Sequence, residues 1–178
     1  VKRPTWPTMP ALLLATLTAC ANQTTGTPTA TSDAPDPTTE SAATSSSTAN
    51  PVDSIKPCSL LSASDVAALG ITGAPKPSAI KGATSCDWRV EKQPAGDSFT
   101  IAIDVFPERG LKDMSGSAHT STKVGKHDAI QDIDRGGCAL AMGITDTSRV
   151  QVYIVGGKPA DLCAVALETA KIIEPKLP

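Results

Sequence analysis

The sequence predicts an α+β domain: an antiparallel sheet of about five strands, with an N-terminal and a C-terminal helix packed on one face, and two disulfides. Three observations lead there. Between residues 86 and 154, apolar residues alternate in short runs separated by turn residues, the period of half-buried strands. A helix start precedes these runs and a stretch of helical period follows them. Four cysteines are spread over the same segment.

Each element has a local cause. Ser62 followed three residues later by Asp65 is a capping box, so the spacing predicts a helix from Ala63 to Leu69, ended by Gly70. Apolar and charged residues alternate through Cys86-Asp87-Trp88-Arg89-Val90, a first strand. After the turn residues Pro94 to Asp97, Phe99, Ile101, Ile103 and Val105 share one face of a second. Pro107 to Thr122 reads as polar and irregular, with one helical turn. Ala129–Ile133, Cys138–Ile144 and Val150–Ile154 complete the strands, with turns at residues 134–137 and 145–148. Gly156-Gly157 breaks the last strand and Pro159 suits a first helical turn. Leu162, Ala166, Ala170, Ile173 and Leu177 then recur at helical spacing.

The beginning of the chain has another character. Lys2 and Arg3 precede an apolar run from Ala11 to Ala19, the pattern of an export signal and shorter than the about 20 apolar residues of a membrane span. Val1 fits a non-standard start codon. Leu17-Thr18-Ala19-Cys20 resembles a lipobox. That resemblance implies residues 1–19 as signal peptide, cleavage before Cys20, and lipidation of the Cys20 thiol with acyl chains such as palmitate. Two acyl chains suffice for stable membrane attachment, at about 0.8 kcal/mol per buried methylene. Residues 20–50 then form a lipidated cysteine and a Ser/Thr/Pro/Ala-rich linker, too poor in apolar residues to offset the entropy of ordering. Residues 51–178 form one domain by length.

Composition narrows the function. The chain has 16 Lys+Arg and 18 Asp+Glu; without Lys2 and Arg3 this is 14 against 18, a formal charge of −4. No basic stripe marks a nucleic-acid surface. Beyond the signal, Trp88, Phe99, Phe106 and Tyr153 are the aromatic residues, which leaves Ala, Val, Ile and Leu to build the core. An even number of cysteines in an exported domain reads as two disulfides. Cys58, Cys86, Cys138 and Cys163 allow three pairings. The favoured one is Cys58–Cys86 with Cys138–Cys163, each tying a helix to a nearby strand and contributing roughly 3–4 kcal/mol. The cysteines lack the short paired spacing of a four-Cys zinc site.

Pro57-Cys58-Ser59-Leu60-Leu61, Cys86-Asp87-Trp88, Cys138 near a double glycine, Cys163 in the last helix and the closing Leu177-Pro178 together resemble the DUF3558 family of actinobacterial lipoproteins. The resemblance covers most of residues 51–178 and departs at Lys126-His127. It implies an actinobacterial envelope protein, and it brings no catalytic residue.

A search for chemistry finds little. His119 or His127 could serve as a base for Ser115 or Ser117, but no nucleophile-elbow glycines surround either serine. Both histidines are expected to be solvated in loops. Asp128, Asp132 and Asp134 lack the EF-hand spacing, and Asp132 and Asp134 are expected on the wet face of a strand. Gly136-Gly137 and Gly156-Gly157-Lys158 lack a Walker pattern and read as turns. Trp88, in phase with Cys86 and Val90, is expected in the core.

The sequence therefore predicts a membrane-anchored extracytoplasmic lipoprotein, on the outer face of the cytoplasmic membrane, acting as a non-enzymatic binding or accessory module of the cell envelope. The alternative is an envelope hydrolase acting on wall or lipid substrates, and a third reading is a wall-associated spacer. The expected partners are the membrane, through the anchor at Cys20, and an envelope protein or small ligand, with no nucleic acid. No catalytic residue, metal or cofactor is expected, and no ligand-binding residue stands out.

Overall fold

A computed structural model describes residues 50–114, 119–134 and 136–178. The predicted signal segment 1–19, Cys20, the linker to residue 49, Ser115 and Ser117 lie outside the described residues.

The sheet has seven antiparallel strands rather than about five. They are β1 (Lys76–Ile80), β2 (Ala83–Val90), β3 (Phe99–Phe106), β4 (Thr120–Val124), β5 (His127–Asp134), β6 (Gly137–Thr145) and β7 (Ser148–Gly156). Their order is β1-β2-β3-β7-β6-β5-β4. Two meanders, β1-β2-β3 and β4-β5-β6-β7, are thus joined where β3 pairs with β7. The two strands that sequence reading missed, β1 and β4, are the two edges. An edge strand is wet on both faces over most of its length and carries no apolar alternation; β4 buries only Val124. Pro77 is tolerated because β1 pairs on one side alone.

One face of the sheet forms the core. Cross-strand register places Trp88 opposite Ile101, Ile101 opposite Ile154 and Ile154 opposite Cys138, all buried. The helix α2 (Pro159–Ile173) lies on β6 and β7 through Leu162, Ala166, Ala170 and Ile173. The alanines at 166 and 170 let it approach the sheet closely. Trp88 fills the core as expected.

The N-terminal helix α1 has its capping box: Asp65 N donates to Ser62 Oγ at 3.3 Å, and Ser62 N donates to Asp65 Oδ2 at 2.8 Å. It is only six residues long, Ala63–Ala68, and none of them is fully buried. The expectation that α1 covers the sheet is therefore corrected. The flanking chain does this instead, through Val52, Leu60, Leu61 and Leu69. Cys58, in the 3-10 turn Pro57–Ser59 against β2 and β3, is bonded to Cys86 of β2. Cys138 of β6 is bonded to Cys163 of α2. Each bond pins one covering segment to one half of the sheet.

Candidate functional site

The other face of the sheet carries no α-helix among the described residues, and four of its polar side chains, Ser85, Asp104, Asp132 and Arg149, are nevertheless buried. Strand alternation puts Ser85, Asp104 and Gln151 in one cross-strand row of this face. Asp87, Ala102, Tyr153, Ala139 and Asp132 make the next row. Short side chains alternate with long polar ones, so the alanines floor a groove of about 610 Å³ whose walls carry both polar and apolar side chains.

The segment after β3 closes one end of this groove. Arg149 of β7 donates through Nη1 to the carbonyls of Arg109 and Gly110, at 3.1 and 3.0 Å. Its guanidinium carbon lies 4.0 Å from the centre of the Phe106 ring, a cation–π contact. Gly110 is required here, because a Cβ would run into the Asp146 carbonyl. Arg109, Asp113 and Met114 complete the wall. Arg149 is only 6% exposed, and this burial lowers its proton affinity, as does the charge of Arg109.

The charged groups of the groove are not matched to one another. Asp104 is 3% exposed and accepts a hydrogen bond from Ser85 Oγ at 2.5 Å. Burial pushes its carboxyl above the ordinary carboxylate range; the Ser85 bond opposes this, the nearby charge of Asp87 adds to it, and the charge of Arg149 opposes it weakly. No ion pair joins Asp87, Asp104 or Asp113 to Arg109 or Arg149. A buried carboxyl with no ion-pair partner among the described residues is a costly arrangement of the kind found in functional clefts.

Residues 15–176 match the family described as "Protein of unknown function (DUF3558)". The chain belongs to the DUF3558 family. No curated protein and no solved structure matches it.

In this DUF3558 domain the residues singled out in the sequence fall in different places. His127 is not a solvated loop residue: it opens β5 and is buried. Its Nδ1 lies 2.9 Å from the Gly143 carbonyl, an acceptor only, so Nδ1 carries the proton and donates. Its Nε2 lies 3.8 Å from Glu174 Oε1, and Lys126 N donates to the same carboxylate oxygen at 3.0 Å. Gly125, at φ +54°, packs directly on Glu174, where any Cβ would collide. His127 is therefore part of the joint between the β4–β5 turn and the C-terminal segment.

His119 is an exposed loop residue, as expected, with its side chain turned toward the sheet and Nε2 3.7 Å from Asp132 Oδ2. Asp132 is on the helix-free face as expected, but it is 7% exposed rather than wet. Asp128 is exposed and pairs with Lys123 at 2.8 Å. Among the described residues no three His, Cys, Asp or Glu side chains converge as metal ligands would. Gly156 and Gly157 both have positive φ and form the exit from β7, a turn as expected.

Sequence reading missed Asp87, Asp104, Arg149, Gln151 and Tyr153 as groove residues. One signal was available: Asp104 stands between Ile103 and Val105 in an otherwise apolar run. A charge in mid-strand at the centre of a sheet needs a reason beyond solvation.

Proposed function

We propose that this chain is a membrane-anchored extracytoplasmic lipoprotein whose domain is a non-enzymatic binding or accessory module, with the helix-free sheet face as its binding surface. The anchor is Cys20, in the lipobox-like Leu17-Thr18-Ala19-Cys20, and residues 21–50 are its tether. The observation that carries the binding reading is Asp104, buried with no cation in ion-pair contact among the described residues, in the wall of a groove about 610 Å³ in volume. Such a volume suits a small ligand or a few residues of a partner. An actinobacterial envelope is the setting that the sequence resemblance implies.

Native mass spectrometry of the full chain, extracted from its host envelope in mild detergent, tests this. The expected spectrum shows a diacylated Cys20 and a further bound species, and Asp87→Asn with Gln151→Ala removes the bound species. An unmodified Cys20 would overturn the anchor. A bare lipidated monomer from native membranes, unchanged by the substitutions, would overturn the binding reading.

A second reading, an envelope hydrolase, is favoured by one observation, the His119–Asp132 pair. A carboxylate beside an imidazole is how a general base is oriented. Among the described residues no hydroxyl lies within hydrogen-bond reach of His119. Hydrolysis of p-nitrophenyl esters by the full chain, abolished by His119→Ala, would establish this reading; absence of turnover would dismiss its esterase form.

A further inference from the structure

The lining of the groove specifies what it takes. Four aspartates, at 87, 104, 113 and 132, face two arginines, at 109 and 149. Arg149 is already committed, its Nη1 to two backbone carbonyls and its guanidinium face to Phe106. The charge of Arg149 also attracts Asp104, yet among the described residues four carboxyls against two guanidiniums leave the lining with a surplus of acceptors and negative charge, greatest where half-buried Asp87 stands beside Asp104. An approaching cation relieves the repulsion between these two carboxylates; an anion increases it.

A second observation concerns the size of the occupant. Three large hydrophobic side chains are exposed among the described residues, Ile80, Ile133 and Val155. Two of them line this groove: Ile80, 46% exposed, at the β1 edge, and Val155, 40% exposed, on β7. Each stands at the C-terminal end of its strand, and because β1 and β7 run in opposite directions the two fall at opposite ends of the face, with the rows of Asp104 and Asp87 between them. Met114, a side chain that adapts to varied surfaces, lines the wall. Acidic centre and apolar flanks are what a protein segment recognises when a basic side chain is its anchor and its neighbours are apolar.

We propose that the groove docks a basic, apolar-flanked segment of a partner protein, with an arginine or lysine side chain entering beside Asp87 and Asp104 and its apolar neighbours resting on Ile80 and Val155. The proposal rests on the helix-free face being the binding surface. Charge attraction sets the approach, and the apolar flanks exclude water around the anchor.

The test is calorimetric titration of the detergent-solubilised full chain with three probes: an acetylated, amidated hexapeptide alternating arginine and leucine, its glutamate–leucine counterpart, and agmatine, a small guanidinium compound. The arginine–leucine peptide is expected to bind saturably at one site. Asp87→Asn and Ile80→Ser are each expected to weaken it roughly tenfold, and added salt to weaken it further. Asp87 is half-buried and Ile80 exposed, so both variants keep the fold. Equal binding of the glutamate–leucine peptide would overturn the charge assignment. Agmatine binding as tightly as the peptide, or no effect of Ile80→Ser, would overturn the protein partner in favour of a small cation. If no probe binds while native mass spectrometry still shows a groove-dependent bound species, this proposal fails and the binding reading stands; if both are negative, both fail.

Discussion

Asp104 on β3 faces Ser85 across the β2–β3 pair, accepts its hydroxyl hydrogen bond, and has no cation in ion-pair contact among the described residues. The carboxylate is thus stabilised by one neutral donor and the more distant charge of Arg149, where burial demands more. Its retention weakens the fold and leaves a charge in the groove.

Replacement of Asp104 by Asn separates these effects. An amide oxygen still accepts from Ser85, but no charge is buried. Because burial raises the Asp104 pKa above its ordinary 3.8, the native state holds this proton more tightly than the unfolded chain does. The destabilisation is complete above the raised value and fades as pH falls through it toward 3.8. Asp104→Asn is therefore expected to melt higher than the parent at pH 7 and with it below pH 4. Thermal melts across that range check this; equal melting at both ends would show that the charge carries no cost.

The C-terminal segment acts as a clasp. Lys176 Nζ donates to the Leu60 carbonyl at 2.6 Å and to Asp65 Oδ2 at 2.8 Å. That hydrogen bond from Lys176, with those from Ser62, lowers the Asp65 pKa from 3.8 to about 2. A lowered carboxyl contributes stability that is present above 3.8 and lost as pH falls through about 2. With Lys176→Met the Asp65 titration, followed by NMR, is expected to move up toward 3.8 and the acid limb of unfolding to begin at higher pH. An unchanged titration would show that the Ser62 bonds alone hold Asp65.

The two disulfides act on separate halves of the sheet. Their sequence separations are 28 and 25, so removing either by a double Cys→Ala substitution is expected to cost roughly 2–5 kcal/mol in chemical denaturation. Loss of Cys58–Cys86 should raise amide exchange first in residues 51–62, and loss of Cys138–Cys163 first in α2. Identical exchange patterns for the two variants would contradict this division.

The interior of the fold was legible and its margins were not. Phe99 to Val105 and Cys138 to Ile144 show alternation because the covered face takes large apolar side chains and the other takes small or polar ones, Thr100, Ala102 and Asp104 on the first and Ala139, Ala141 and Gly143 on the second. β1 and β4 show none, since neither face of an edge strand has to be apolar along its whole length. The capping box at Ser62 located α1 but said nothing of its packing, because a cap is a backbone matter and burial a tertiary one. The groove was hidden for a related reason. Asp132 and Arg149 alternate with core residues, and a polar residue in that phase reads as solvated. Their burial comes from long-range neighbours, such as Arg109 and Gly110, whose carbonyls hold Arg149.

The central claim, that the helix-free face is the binding surface, is tested most directly by photocrosslinking in the native host. Benzoylphenylalanine is placed at Thr100, in the groove, or at Ala164, on the exposed side of α2. The account predicts a discrete adduct from position 100, reduced by Asp87→Asn, and none from position 164. Adducts from 164 alone, or equal adducts from both positions insensitive to Asp87→Asn, would contradict it.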